Sequence, residues 1–203
     1  MAEECVPPNT ERRIKEAARK VFMEKGYDGT TSRDIAEAAG INVALTNYYF
    51  RSKATLFRMI FEDAHQELFR KSREVLERST PLREKIQELI STDFELFAGN
   101  PSLPLFLLAE WHRHPELLAS TTKWHPIVHQ FFNEIREAGA RGEIRPLEPI
   151  HVMQFIMANV QFLYMSRPLT MNITNLDQAG YSDFAERHQQ LVTDMILNYL
   201  FDF

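Results

Sequence analysis

The 203-residue chain is predicted to be all-α, on three observations. Apolar residues recur at three- and four-residue spacing in segment after segment, and no stretch sustains the two-residue alternation of a half-buried strand. The seven glycines act as punctuation. Gly26, Gly40, Gly99 and the Gly139/Gly142 pair each follow a helical-period segment, where a left-handed cap is wanted. Several of the ten prolines, Pro81, Pro101 and Pro115 among them, sit near helix starts, where a missing N–H breaks no hydrogen bond. A chain of this length supports one large domain or two small ones with a real core.

The first helix is capped by Asn9 or Thr10. Ile14, Ala17, Ala18, Val21 and Phe22 form its apolar stripe, and Gly26 ends it. A second, short helix opens at Thr31. Thr31-x-x-Asp34 has the form of a capping box, Ile35, Ala36 and Ala39 turn inward, and Gly40 stops the helix. A third covers roughly Val43 to Tyr49. Ser52 caps a fourth, 52–79, with Leu56, Met59, Ile60, Ala64 and Leu68 on one side. Thr80-Pro81 starts a fifth, with Leu82, Ile86, Leu89, Ile90, Phe94 and Phe97 inward, and residues 101–113 make a sixth. The segment 116–140 is helical with a break at Pro126. Pro149 opens a helix that is apolar nearly all round to Met165. Residues 167–181 read as a loop with a short turn. Ser182 opens the last helix, with Phe184, His188, Leu191, Met195 and Tyr199 as its stripe.

The single cysteine, Cys5, excludes a disulfide within one chain and fits a reducing, cytoplasmic compartment. The opening MAEECVPPNTERR lacks the apolar core of a signal peptide. The run from Val152 to Met165 is too short for a membrane span and is interrupted by Gln154, Asn159 and Gln161, so no membrane partner is expected. The net charge of −5 hides an asymmetry. Residues 1–60 hold ten Lys/Arg against eight Asp/Glu, a balance of +2, and the remainder carries −7. A slightly basic N-terminal region on an acidic body is what is expected where only the first part touches an anion.

Two short helices joined by a glycine turn and braced by a longer helix form a helix-turn-helix pattern. The second of them lies in AAGINVALTNYYFRSK, residues 38–53, too polar for core and too aromatic for an ordinary loop. One side must pack inward, where Phe50 is read as core, and the other faces the major groove. Asn47 can pair with adenine N6 and N7, and Val43 and the Ala44 methyl can touch a thymine methyl. The Tyr48 and Tyr49 hydroxyls and the Lys53 ammonium suit phosphate oxygens, and Lys53 sits in the first turn of the fourth helix, whose N–H groups favour anions. With Thr31, Ser32 and Arg33 from the start of the second helix and Asn42 from the turn, these are the expected DNA-contacting residues.

The run TTSRDIAEAAGINVALTNYYFRSKATLF, with IKEAARKVFMEKGYDG before it, resembles the DNA-binding signature of TetR-type transcriptional regulators over about residues 10–60. Ala44 stands where that family often has glycine, Asn47 where it often has tyrosine, and Thr46 in a slot that is usually apolar. The rest of the chain resembles the family only in length and helical content. The resemblance implies a homodimer whose two recognition helices read the half-sites of a pseudo-palindromic operator in double-stranded DNA, with a helical regulatory domain behind. The expected division is a helix-turn-helix domain at 9–52 and a ligand-binding and dimerisation domain at 53–203, joined by the helix 52–79.

Enzyme chemistry has no foothold. There is no Gly-rich phosphate loop and no Gly-x-Ser-x-Gly, and Cys5 in a terminal segment is a poor nucleophile. His112 and His114 do not share a helix face, and His125 and His129 lack the His-Glu-x-x-His frame, so no metal or other cofactor is expected. The aromatics and methionines of 94–165 read as core enclosing a ligand cavity, with Trp111, His125, Gln154, Asn159 and Gln161 as polar groups and Met153 and Met157 as walls. The guest is expected to be small and mostly apolar, with one or two polar handles. The functional expectation is a DNA-binding repressor released from its operator by such a ligand. The alternatives are an activator with the same DNA-binding domain and a helical protein-interaction module.

Overall fold

The apolar stripes close into helices alone among the residues that the computed structural model describes, 10–118 and 125–203. Asn9 and Cys5 lie outside them. The order is α1 Thr10–Lys25, α2 Ser32–Ala39, α3 Val43–Phe50, α4 Lys53–Leu76, α5 Leu82–Gly99, α6 Leu103–Arg113, α7 His125–Ala140, α8 Pro149–Met165, α9 Arg167–Thr174 and α10 Gln178–Phe201. None of them is long and apolar enough to cross a membrane.

The described chain divides into two compact units, and the division differs from the expected one. The first unit takes residues up to Gln66 together with Phe106–Pro115, and the second takes Glu67–Leu105 and Glu116–Phe203. The boundary therefore falls inside α4 at 66 rather than at 52, and most of α6 belongs with the helix-turn-helix. The first unit packs α1 on α2 and α2 on α3 around Ile14, Ala18, Phe22, Ile35, Leu56 and Phe61, all nearly or fully buried. Phe106 closes that core, with its ring 6.0 Å from Phe61 and 6.2 Å from Phe57.

In the second unit α5, α8 and α10 pack on one another, and α7 and α9 pack on α8. Val152, Ile156 and Val160 of α8 and Val192, Ile196 and Leu200 of α10 are buried at helical spacing. Two buried tyrosine hydroxyls donate to helix carbonyls, Tyr164 to Phe94 O at 3.0 Å and Tyr181 to Leu163 O at 2.7 Å. Burial pushes the Tyr164 phenol up to about 12, so it stays a donor. Lys85 is buried on α5 and its ammonium donates to Glu134 of α7 at 2.6 Å, a pairing that burial makes obligatory.

Several expectations are corrected. Residues 167–174 form a helix, not a loop. Pro168 is preorganised for its first turn, and Asn175 ends it in the left-handed conformation at φ 54°. The last helix opens four residues before Ser182, because the Asp177 side chain accepts from Gly180 N at 2.8 Å. Of the stripe read on the last helix, Leu191 is 67% exposed, Met195 52% and Tyr199 45%, and a second stripe, Tyr181, Ala185, Val192, Ile196 and Leu200, is the buried one. Gly99 lies within α5 and Gly139 within α7, so the left-handed glycines are Gly26, Gly40 and Gly142. Pro126 is the second residue of α7 rather than a break within a helix, and residues 119–124, in the expected helix before it, are outside the described residues.

One carboxyl in the second unit sets a pH dependence. Asp93 on α5 is pushed up to about 7 by desolvation, and the Ser72 hydroxyl, 3.3 Å away, only partly offsets this. A carboxyl raised above its unfolded value favours the folded state when protonated, so this contribution is present below about pH 4 and is lost as pH rises towards 7. Urea denaturation should show Asp93→Asn stabilising the protein more at pH 8 than at pH 5. Equal effects at both pH values would contradict this.

Candidate nucleic-acid interface

The turn between α2 and α3 is fixed by its caps. The Thr31 hydroxyl oxygen accepts from Asp34 N at 3.1 Å, and the Asp34 carboxylate accepts from Thr31 N at 2.7 Å, which completes the box read from the sequence. Lys25 donates to the other Asp34 oxygen at 2.6 Å and, with Thr31, holds that carboxyl well below the usual carboxylate range. Gly40 then turns the chain at φ 64°. Its N–H and that of Ile41 close on the carbonyls of Glu37 and Ala36, so the last turn of α2 leaves few orphan groups. Arg13 adds a bond from α1 to Ala39 O at 2.9 Å. Asn42 caps α3 by accepting from Leu45 N at 2.8 Å.

Helix α3 has two stripes. Val43, Thr46 and Phe50 fall at i, i+3 and i+7 on the inner side, with Thr46 and Phe50 buried. Ala44, Asn47, Tyr48 and Arg51 fall at i, i+3, i+4 and i+7 on the outer side, and all four are exposed. Tyr48 is 78% exposed, and its ring meets Tyr49 edge-on at 5.4 Å. An aromatic left in water beside an amide, a methyl and a guanidinium has no packing reason to be there. It is the surface that a groove of base edges and phosphates would cover.

The chain leaves α3 through a strained corner. Arg51 has φ 60° and ψ −43°, and Ser52 N–H reaches back to Phe50 O at 2.6 Å. This is a γ-turn of the positive-φ type, rare for a residue with a Cβ. It delivers Ser52 as the cap of α4, with its hydroxyl accepting from Thr55 N at 3.1 Å.

The expected contact residues therefore differ in what they can offer. Arg33, Ala44, Asn47 and Tyr48 are exposed, and among the described residues no side-chain hydrogen bond engages them. Thr31 is exposed but its hydroxyl and N–H close on Asp34, and Asn42 has committed its oxygen to the cap. Ser32, Val43 and Tyr49 are half-buried. Lys53 is half-buried and partly engaged. Its ammonium donates to Tyr27 O at 2.9 Å and Thr30 O at 2.8 Å and lies 4.1 Å from the centre of the Tyr27 ring, which leaves one N–H for a phosphate. Arg51 was missing from the expected set. Its place on the outer stripe was legible in the spacing from Ala44.

The expected ligand residues are divided between the two units. Trp111 belongs to the first unit, its ring edge-on to His65 at 5.7 Å, and burial holds that histidine down at about 4 and therefore neutral. The other described candidates lie on α8 in the second unit. Gln154 is exposed, the Asn159 amide closes on its own helix at Phe155 O, 2.7 Å away, and Met153, Met157 and Gln161 are half-buried. His125 opens α7, and its side chain is outside the described part. A long helix can satisfy its own polar side chains, so polarity on α8 does not by itself mark a pocket. A groove of about 370 Å³ does lie at the other end of α8, beside Leu105, Tyr164, Arg167 and Met171. Among the described residues no cluster of His, Cys, Asp or Glu is arranged to hold a metal ion.

Residues 14–60, the span that builds this surface, match the bacterial regulatory proteins of the tetR family. Over this span the chain carries a DNA-binding region of the tetR type. It is a DNA-binding transcriptional regulator and not an enzyme. It is 27% identical over 147 residues to the HTH-type transcriptional regulator UidR of Escherichia coli K12, covering 72% of this chain and 74% of that protein. The HTH-type transcriptional repressor KstR2 of Rhodococcus jostii is 34% identical over 89 residues, 44% of either chain. The all-α fold recurs in the TetR family transcription regulator of Marinobacter aquaeolei VT8, with a TM-score of 0.69 at 18% identity over 95% of this chain and 96% of that one. It recurs also in the TetR family transcriptional regulator PfmR of Thermus thermophilus, with a TM-score of 0.66 at 21% identity over 89% of this chain and 97% of that one.

Two substitutions test the local account of this TetR-type domain. Thr46 Oγ1 is buried without a hydrogen-bond partner, so Thr46→Val should stabilise the fold by about 1 kcal/mol. Arg51→Gly relieves the γ-turn and should also stabilise, by roughly 1 kcal/mol. Both are read as shifts in the urea midpoint. Destabilisation by either would show that the hydroxyl or the corner is held by something else.

Proposed function

We propose that this regulator is a homodimeric, cytoplasmic repressor that binds a pseudo-palindromic operator and leaves it when a small, mostly apolar molecule occupies the second unit. The observation that carries the dimer is the outward apolar face of α8 and α10. Phe155 and Phe162, the latter 63% exposed, stand seven apart on one helix, and Leu191, Met195 and Tyr199 stand four apart on the other. The Phe155 and Tyr199 rings meet at 5.7 Å, so the two stripes run together into one patch. A patch of this kind on a water-exposed surface is best explained by a second copy, which would build an intersubunit four-helix interface.

A two-fold dimer presents two identical outer stripes to two half-sites. Asn47 and Ala44 then read base edges, and Tyr48, Arg33, Arg51 and the remaining N–H of Lys53 hold phosphates. Regulation needs a ligand that favours one spacing of the two recognition helices. Helix α4 contributes residues to both units, so a ligand that shifts it in the second unit acts on the first. An activator built on the same domain would share every one of these contacts and would be told apart by transcription in vitro.

Operator affinity should fall steeply with salt, and Arg51→Gly should reduce the salt slope by about 1 if its guanidinium neutralises a phosphate. Asn47→Ala should cost about 1–3 kcal/mol on a selected site and little on random duplex. Equal loss on both would make Asn47 a phosphate or packing residue. Met195→Glu should sediment as a monomer with weakened operator binding. A wild-type chain that is monomeric at micromolar concentration would end the dimer reading.

A further inference from the structure

We propose that Glu110 is a positioning residue for DNA binding, and that α6 acts on the recognition helix through it by way of the α1–α2 turn. The proposal rests on the DNA-binding reading above. Glu110 is 1% exposed, and its side chain reaches the far end of α1 across 83 residues of sequence. One carboxylate oxygen accepts from Tyr27 N at 3.2 Å and from Arg113 Nη1 at 3.2 Å. The other oxygen has no hydrogen-bond partner and lies 3.9 Å from His114 Nε2. A carboxylate buried on so few bonds is a net burden on stability, and an apolar side chain of similar volume would serve the core at least as well.

What it holds gives the reason. Gly26 ends α1 at φ 69°, and a Cβ there would come within 2.9 Å of the Glu110 oxygen, so the glycine both turns the chain and admits the carboxylate. The next residue, Tyr27, is held at both ends. Its N–H goes to Glu110 of α6, and its carbonyl accepts from Lys53 of α4, which also takes Thr30 O. The Tyr27 ring lies under the Lys53 ammonium, 4.7 Å from Phe57 and 5.7 Å, edge-on, from His114 at the α6 end. Lys53 follows the last residue of α3 by three positions, across the Arg51 corner. The sequence of contacts is therefore α6, Glu110, Tyr27, Lys53, α3. Helix α6 begins in the second unit at 103–105 and ends in the first at 106–113, so a rotation of this one helix changes the hold on Tyr27.

The test uses the full-length protein and a duplex that the wild type selects from a random library. Glu110→Ala should bind that duplex about tenfold more weakly while keeping its helical circular dichroism, and the Tyr27 amide should exchange with solvent faster. Glu110→Gln, whose amide oxygen still accepts from Tyr27, should recover most of the affinity. Lys53→Met should weaken binding too, and the double variant Lys53→Met/Glu110→Ala should be no more than about twofold worse than the weaker single variant, because both act on one turn. If Glu110→Ala does not fold, Glu110→Leu fills its space without accepting a hydrogen bond and takes its place. A folded variant that binds within twofold of wild type, or losses that multiply, would overturn the proposal. A wild type that selects no duplex would instead overturn the DNA-binding reading, and this inference with it.

Discussion

An eight-residue helix cannot hold itself together in water, because the nucleation penalty exceeds what two turns return. Helix α3 is such a helix, and it buries only Thr46 and Phe50. The surface it presents exists because its neighbours supply what its own length cannot. The capping box and the Gly40 turn fix where it starts, Asn42 closes its first turn, and the Arg51 corner ends it one residue before α4 is capped. Exposed side chains at 44, 47, 48 and 51 are then held on a rigid element without being packed themselves, the combination that recognition of a groove demands.

The second unit meets a different constraint. Helices α8 and α10 carry apolar residues on two faces each, and a monomer can cover only one. The inner faces, Val152, Ile156 and Val160 against Val192, Ile196 and Leu200, are fully engaged. The outer faces remain, with the Phe155 and Tyr199 rings already in contact. The N-terminal surface is thus exposed and polar, and this one exposed and apolar.

Local signals made the helix-turn-helix legible from sequence. Thr31-x-x-Asp34, Gly40 and the three-four spacing of α1 each act within a few residues, so α1, α2 and α3 appear with ends one residue or less from those read. Signals that depend on distant partners were not legible. Periodicity shows that α10 has an apolar stripe but not that a second stripe, Tyr181, Ala185, Val192, Ile196 and Leu200, is the one that faces the core. The helix at 167–174 buries no residue and is set by Pro168 and the Asn175 cap. The sequence does not show that Lys53 spends two of its three N–H groups on Tyr27 O and Thr30 O, because those acceptors lie more than twenty residues earlier. Nothing in the sequence near 110 announces a partner 83 residues earlier.

The assignment of Phe106–Pro115 to the first unit has a consequence for biosynthesis. A chain emerging from the ribosome can form α1 to α3 early, since their contacts are local. It cannot finish their core. Until Phe106 has emerged, the Phe57 and Phe61 rings lack the ring that closes on them, and Tyr27 N–H waits for Glu110. A fragment cut after Gln66 therefore carries the whole recognition surface on an open core, prone to aggregate rather than to bind. The core beneath the DNA-reading part of this protein therefore closes only after α6 has been made.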